Sequence, residues 1–485
     1  MATVSPDRNS SESVAESTDE LSREIGLLGA TAIGVGTMIA GGIFVLSGLA
    51  VANVGAAAAV SFGLAAIVAS FTALTYAEFA TIYTVDGGGY AYVAEVFDSE
   101  WSYLIGWLMI LGYPASAAFY LASFVDWFAR FLLPALSIGD VLPFWLPGVG
   151  VLALLIGVNL AGAEETGLFQ LVVTGLKIAL IGLFLYGGLQ GFESTVVETS
   201  LSKNITQYGD IALTSGLVFI TFFGFEAIAT SEGEIKRPER TVPRAIFLSI
   251  GLVTVLYVLV VLVVVVAIND SAFLSFLAER TGLASTDTAT RFLSENGEVA
   301  MARAAEYYLG DVGYYLFIVG ALVSMISAAN ATILAGSRVK LAMARRDHLP
   351  NPVRRVDPQS GVPSTAVVVT GGLILVFFLS FTVLFGTAPG RTGQPEGIVL
   401  GLESLAHFAD FLLLSGLIFV NVALIQSRRR EPDRERRFRV PGVPWVPLVA
   451  IGSNLALLAS LEAVSMMLGI LAVIVGIVFW FGAFE

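Results

Sequence analysis

The chain has 485 residues, of which 56% are hydrophobic and 13% are charged, whereas charged residues make up about 25% of an average soluble domain. This composition excludes an ordinary soluble protein and predicts a polytopic membrane protein. The formal net charge is −13, and because the chain has no cysteine, disulfides, thiolate metal sites and cysteine catalysis are excluded.

Twelve apolar runs follow an N-terminal tail. The tail, residues 1–26, is polar, acidic and serine-rich and is predicted to be disordered. A helix of about 20 apolar residues crosses a bilayer, and the runs are close to this length or longer. The predicted spans cover about 27–49, 54–83, 101–135, 143–162, 167–190, 211–232, 243–268, 312–340, 363–386, 402–426, 445–460 and 463–483.

Positive charge is divided unevenly between the connections. The connections after spans six, eight and ten hold most of the lysine and arginine, so they are predicted to be cytoplasmic. The connection 84–100 should lie on the same side, although it has only acidic charges. Acidic residues contribute little to orientation. The sequence therefore predicts a multi-pass protein of the cell membrane with both termini inside, and Glu78 is predicted to pair with a cytoplasmic cation.

Span one carries several glycines near its middle. Glycine costs a helix interior about 1 kcal/mol relative to alanine, so the pair Gly41 and Gly42, close to Gly36, marks where the helix would most easily open. An opened helix frees backbone groups, which are tolerated at membrane depth only where they line a cavity or are buried in protein. The glycines could instead serve close helix packing, as in G-x-x-x-G contacts.

Span six repeats this pattern, because Gly224 interrupts an apolar helix beside several phenylalanines. Two interrupted helices, each the first of a five-span half, indicate an inverted-repeat transporter whose site lies at the bilayer midplane. This repetition favours the site interpretation of the span-one glycines. The outer connection at about 269–311 is either a lid or a spacer with some helix, and its polar composition favours the spacer.

A family resemblance rests on five stretches in order: GVGTMIAGGIFVLSG, YAEFATIYTVDGGGYAYV, FFGFEAIATSEGEIKRPERTVPRAI, ANATILAGSRVKLAMARRDHLP and PDRERRFRVPGVPWVPL. They resemble the signatures of the amino acid, polyamine and organocation transporter superfamily, in its cationic amino acid transporter-like branch. The resemblance implies an all-α polytopic membrane protein with twelve transmembrane helices. It implies that residues 27–426 form a 5+5 inverted-repeat core in which helices 1 and 6 are discontinuous. Residues 427–485 would form the peripheral helices 11 and 12.

The resemblance also implies a substrate site. Backbone N–H groups in span one would hold a carboxylate with the help of a helix N-terminus, and carbonyls of both interrupted helices would accept from an amine. A phenylalanine would occlude the substrate. Apart from the resemblance, a carboxylate directly after the span-six interruption could act as a gate or bind a cationic side chain, unless neighbouring hydroxyls satisfy it. The carboxylate-binding N–H groups are those of Gly41, Gly42 and Ile43, and the carbonyls that accept from the amine are those near Thr37, Met38, Ile220 and Phe223. The occluding ring would come from Phe222, Phe223 or Phe225, and the carboxylate is that of Glu226.

Lys177 lies about ten residues into span five, about 15 Å along the helix axis. A lysine at this depth costs several kcal/mol unless it is paired, neutral or snorkels to the interface. In the resembled family, some members have a lysine here whose amine takes the place of a coupling sodium ion. Lys177 is therefore predicted to be the coupling residue, with snorkelling as the alternative, and transport is predicted to be proton-coupled and sodium-independent.

The chain shows no nucleotide-binding or zinc-protease motif, which predicts that it is not an enzyme and that it needs no cofactor or metal. The predicted function is a secondary transporter (permease) that moves amino acids by alternating access. Its predicted partners are the substrate, protons and membrane lipid, without nucleic acid; the oligomeric state stays open. Alternatives are a polyamine or organic cation exchanger, a channel, and a membrane amino acid sensor that does not transport.

Overall fold

A computed structural model describes residues 23–484, apart from 41, 84, 86, 134–142, 284, 296 and 387–399. Short connections join α-helices throughout the described part. In chain order these are α1 (Leu27–Met38), α2 (Ser47–Val54), α3 (Ala58–Phe79), α4 (Gly88–Ala94), α5 (Ser99–Trp127), α6 (Leu146–Ala161), α7 (Ala163–Leu189), α8 (Ser194–Asn204), α9 (Tyr208–Phe219), α10 (Phe225–Thr230), α11 (Pro238–Ile268), α12 (Ser271–Thr281), α13 (Thr286–Glu295), α14 (Gly297–Arg345), α15 (Ser364–Leu379), α16 (Leu402–Arg430), α17 (Trp445–Ala459) and α18 (Ala463–Phe484).

The architecture is that of a polytopic helical membrane protein, as the composition predicts. Among the described residues, eight helical stretches are long and apolar enough to cross a membrane, and α1, α6 and α17 are shorter apolar helices. Each predicted span contains helix, and the sixth is divided between α9 and α10. Residues 1–22 of the predicted tail lie outside the described residues. Ile25 is buried and hydrogen-bonded, so ordered chain begins before residue 27.

The connection at about 269–311, predicted to be the outer one, contains helix, as the spacer interpretation expected. It contains α12, α13 and the first turns of α14, which kinks at Gly310, where φ is 71°. The hydroxyl of Tyr307 donates to Asp270 at 2.9 Å, and the Nε of Arg280 lies 3.0 Å from Glu306. These contacts hold the helices of the connection against one another and against the end of α11.

The arginine-rich connections meet at one end of the bundle, which we call the arginine-rich end. The buried carboxylate of Glu78 accepts hydrogen bonds from Arg428 at 2.7 and 2.8 Å and from the backbone N–H of Val440 at 2.7 Å, and it forms an ion pair with Arg436 at 3.0 Å. The predicted pairing of Glu78 with a cation is therefore confirmed.

The acidic connection 84–100 lies at the same end. Glu95 forms an ion pair with Arg346, and the carbonyl of Val96 accepts a hydrogen bond from Arg430 at 2.6 Å. The connection therefore lies beside the arginine-rich connections, as the span count predicts, and arginines from its neighbours supply the positive charge that it lacks.

His348 follows α14 at the arginine-rich end, outside the membrane-spanning helices. Its Nδ1 lies 2.8 Å from the hydroxyl of Tyr90, and its Nε2 lies 2.7 Å from the hydroxyl of Ser99. Burial lowers the pKa of His348 below its ordinary value, and the neighbouring charge of Arg346 lowers it further. The folded protein therefore favours the neutral imidazole.

This pKa shift predicts a loss of stability in acid. Since the folded pKa lies below the unfolded value of about 6.5, the unfolded chain binds more protons as the pH falls through that value. We expect the midpoint of thermal unfolding to fall more steeply between about pH 7.5 and pH 5.5 for the wild type than for His348→Asn. Equal slopes for the two proteins would contradict the stabilisation of neutral His348.

Candidate functional site

The first apolar segment is interrupted just before the predicted glycines. Helix α1 ends at Met38, Ile39 leaves the helical region with φ −75° and ψ 67°, and a π-helical turn begins at Gly42. The N–H of Ala40 donates to Met38 rather than to Gly36, which leaves the carbonyl of Gly36 without its helical partner. The interruption thus frees carbonyl groups at the end of α1. Gly41, a predicted ligand of the carboxylate, lies outside the described residues.

The second interruption lies directly against the first. Helix α9 ends at Phe219, and a 3₁₀ turn and Gly224 separate it from α10. A Cβ atom on Gly224 would lie 2.6 Å from the carbonyl oxygen of Gly34 and 2.7 Å from the backbone nitrogen of Met38. A Cβ atom on Gly42 would lie 2.3 Å from the methyl group of Thr221. The two interrupted helices therefore approach as closely as glycine permits.

Lys177 of α7 occupies the end of α1. Its side chain is 0% exposed, which rules out snorkelling. Its Nζ donates to the carbonyl of Gly36 at 2.6 Å and to that of Ile39 at 3.0 Å. The hydroxyl of Ser324, from α14, also donates to Ile39. The ammonium group thus lies where the freed carbonyls and the negative end of the helix dipole favour a cation.

The carbonyl of Met38, predicted to accept from a substrate amine, already has a partner. It accepts a hydrogen bond from the hydroxyl of Tyr257 at 2.8 Å. The ring of Tyr257 packs edge-on against Phe222, at 5.7 Å between centroids. The hydroxyl of Thr37 donates within α1, to the carbonyl of Ile33 at 2.7 Å. Tyr257 therefore connects the two interrupted helices through its hydroxyl and its ring.

The three predicted phenylalanines have different surroundings. Phe222 and Phe225 are buried, and Phe225 packs edge-on against Tyr76 at 5.6 Å between centroids. Phe223 is partly exposed and packs edge-on against Phe219 at 5.7 Å. Phe223 is thus the most accessible of the three rings. Among the other predicted residues, Ile43 is fully buried, and Ile220 begins the 3₁₀ turn.

Glu226 is buried in the first turn of α10. One carboxylate oxygen accepts a hydrogen bond from the hydroxyl of Tyr76 at 2.7 Å. The hydroxyl of Tyr113 faces the same carboxyl group. Within the described ranges, Glu226 forms no ion pair with a lysine or arginine. Its second carboxylate oxygen has no hydrogen-bond partner among the described residues, so the hydroxyl of Tyr76 satisfies the carboxylate only in part.

Sequence reasoning missed a series of polar side chains next to Lys177. The amide of Asn159 donates to Asn330 at 2.8 Å, Asn330 lies 3.5 Å from Gln170, and the hydroxyl of Thr174 donates to a carbonyl of α1 at 3.1 Å. Gln170, Thr174 and Lys177 are spaced i, i+4 and i+7, so they share one face of α7. The spacing of these polar residues within an apolar run was the sequence pattern that could have predicted a polar face on α7.

Comparison with known proteins agrees with this architecture. A family model described as amino acid permease matches residues 25–483. The branched-chain amino acid permease BcaP of Bacillus subtilis is 25% identical over 474 residues, which cover 95% of this chain and 93% of the relative. The methylthioribose transporter of Bacillus subtilis is 26% identical over 475 residues, with the same coverage. The vacuolar cationic amino acid transporter 4 of Arabidopsis thaliana is 27% identical over 389 residues, 75% of this chain and 60% of the relative.

Proposed function

The chain belongs to the amino acid permease family, and from this membership we propose that it is a secondary transporter that moves an amino acid across the cell membrane by alternating access. The proposed arrangement has twelve spans in a 5+5 inverted-repeat core with two peripheral helices, and both termini in the cytoplasm. The observation that carries the proposal is the contact between two interrupted helices, because interrupted helices at the centre of a membrane protein present backbone groups to a substrate.

Three backbone regions are proposed to hold the substrate. The N–H groups of Gly41, Gly42 and Ile43 would bind the carboxylate, and the carbonyl groups at the 3₁₀ turn of span six would accept from the amine. The carbonyl of Met38 is available to an amine only if the hydroxyl of Tyr257 moves away, so Tyr257 would move when substrate binds. The partly exposed ring of Phe223 would then cover the site.

The proposed substrate is a neutral L-amino acid. The charge of a lysine or arginine side chain would need a carboxylate as its partner. Glu226 is buried and one of its oxygens accepts from Tyr76, so only a side chain that is itself fully buried could reach the other oxygen. The name of one relative, the branched-chain amino acid permease, agrees with a neutral substrate. The names of the cationic amino acid and methylthioribose transporters supply the two alternatives, a cationic amino acid and a solute that is not an amino acid.

Uptake by the purified protein in proteoliposomes tests the function. We expect time-dependent accumulation of labelled leucine or alanine, and competition by neutral L-amino acids but not by arginine. Competition by arginine alone would move the assignment to cationic amino acids. Competition only by amines or sugars without a carboxylate would remove the role assigned to the N–H groups of span one. Binding without accumulation would instead indicate a sensor.

We infer from contacts between the segment before α1 and the segment after α10 that the arginine-rich end is the closed end of the proposed transporter. The N–H of Ile25 donates to the carbonyl of Glu234 at 2.9 Å, and the N–H of Lys236 donates to the carbonyl of Ile25 at 2.8 Å. Beside this bridge, Arg338 and Glu234 form a buried ion pair. Breaking a buried pair costs about 3–5 kcal/mol if one charge is left alone, so opening of this end must give both groups new partners.

A reversible disulfide tests whether this end opens during transport. Ile25 lies opposite Ile235 in the bridge, where adjacent chains are about 4.8 Å apart, which suits a disulfide. Because the chain has no cysteine, Ile25→Cys/Ile235→Cys would contain only these two thiols. We expect oxidation to reduce uptake to the level of empty vesicles and a reductant to restore it. Each single variant serves as the control, and full transport by the oxidised double variant would show that this end does not open.

A further inference from the structure

A cavity of about 260 Å³ lies at the arginine-rich end, and no step of the proposed transport uses it. It is located between the first turns of α11 and the segment that follows α16. Its lining includes Glu239, Arg240, Pro243, Arg244, Arg437 and Phe438. The lining thus combines three guanidinium groups and one carboxylate with the apolar side chains of Pro243 and Phe438.

The cavity carries an excess of positive charge. Arg437 is paired, since its Nη1 lies 3.0 Å from a carboxylate oxygen of Glu239. Arg240 and Arg244 are exposed, and neither forms an ion pair with an acidic residue of the described chain. They are four residues apart on α11, so they lie on one face of the helix. Two guanidinium groups are therefore available to bind a phosphate, whose oxygens fit the planar fork of arginine.

The same face of α11 continues into an exposed apolar surface. Phe247, Leu248 and Leu252 follow Arg244 and are 37%, 52% and 40% exposed. At about 1.5 Å per residue, Leu248 lies only about 6 Å further along the axis than Arg244. In a membrane helix, exposed leucines contact lipid, so the arginines lie where the acyl chains of the bilayer meet the headgroups.

We propose that this cavity binds the phosphate group of an anionic phospholipid, with Arg240 and Arg244 holding the phosphate and an acyl chain lying along Phe247, Leu248 and Leu252. The proposed orientation of the chain places the site in the inner leaflet, but binding itself depends on neither the orientation nor the substrate. The bound lipid joins α11 to the segment that contacts Glu78, and so stabilises the arginine-rich end.

Thermal unfolding of the full-length protein in neutral detergent tests the site, with phosphatidylglycerol, phosphatidylcholine or sodium phosphate as the added probe. We expect phosphatidylglycerol to raise the unfolding midpoint of the wild type. For Arg240→Gln/Arg244→Gln, the phosphatidylglycerol concentration that gives half of the maximal rise in the unfolding midpoint should increase by at least about tenfold. The reason is that each arginine near a lipid surface contributes appreciably to binding. The control Arg355→Gln/Arg429→Gln removes two exposed arginines elsewhere at the same end and should behave as the wild type does.

Three results would overturn the proposal. If phosphatidylglycerol binding were weakened equally in both double variants, the lipid would be attracted by the overall positive charge and not bound at a site. An equal effect of phosphatidylcholine would remove the need for an anionic headgroup, and an equal effect of sodium phosphate would assign the site to a free anion. If the glutamine variant proves unstable without lipid, Arg240→Lys/Arg244→Lys replaces it as the test variant. This variant keeps both positive charges but loses the planar guanidinium groups. The proposal requires it to bind phosphatidylglycerol more weakly than the wild type does.

Discussion

Replacing Lys177 by alanine is expected to lower uptake driven by an inward pH gradient by at least about tenfold. The ammonium group donates to two freed carbonyls at the end of α1, and a hydrogen bond from a charged donor contributes about 1.5–3 kcal/mol. Removing both bonds leaves the carbonyls of Gly36 and Ile39 without this donor, next to the proposed substrate site. The tenfold loss corresponds to about 1.4 kcal/mol, well within what the two bonds supply.

The lysine also predicts the ion dependence of the wild type. A second cation at the position of the ammonium group would be repelled strongly in a medium of low dielectric, so uptake should not require sodium. The measurement is initial uptake in sodium and in sodium-free buffer of equal ionic strength, with and without the pH gradient. Lys203→Ala, which removes an exposed lysine of α8, is the control. A strict sodium requirement, or an unchanged pH response in Lys177→Ala, would show that Lys177 is structural.

The sequence predicts the helical segments well because each depends on local composition. A helix in lipid must satisfy its own backbone, so apolar runs of about 20 residues become helices whatever surrounds them. The two interruptions were likewise predictable, because glycine weakens a helix locally. The first begins at Ile39, slightly before the glycine pair, because contacts from α7 and α14 stabilise the carbonyls freed there.

The partners of the freed carbonyls were not predictable. Tyr257 lies 219 positions from Met38 along the chain, and Ser324 lies 285 positions from Ile39. Nothing in their local sequence separates them from other polar residues of apolar helices. Such pairs follow from the packing of whole helices, which a single sequence does not specify.

Lys340 is a second residue whose partner could not be predicted from the sequence. It lies at the last position of predicted span eight, where charge is expected to face the cytoplasm, yet its side chain is buried in α14 and donates to the carbonyl of Ile110 at 3.1 Å. That carbonyl lacks its helical partner because Pro114, four residues later in α5, has no N–H. The lysine thus replaces a hydrogen bond that a proline on another helix removes, and the sequence gives no sign of this partnership.

Gly224→Ala is expected to abolish uptake in a protein that still folds. The added Cβ atom would lie 2.6 Å from the carbonyl oxygen of Gly34 and 2.7 Å from the backbone nitrogen of Met38, closer than side chains approach a backbone. Because both neighbours are main-chain atoms, the two interrupted helices must separate, at a cost of about 1–3 kcal/mol. Gly251→Ala on α11 is the matched control, since a Cβ atom there meets nothing within 4 Å beyond its own turns of helix and should leave uptake unchanged. Uptake is compared after size-exclusion chromatography shows that both variants are monodisperse, and equal activity of the two would show that close approach at Gly224 is not required for transport.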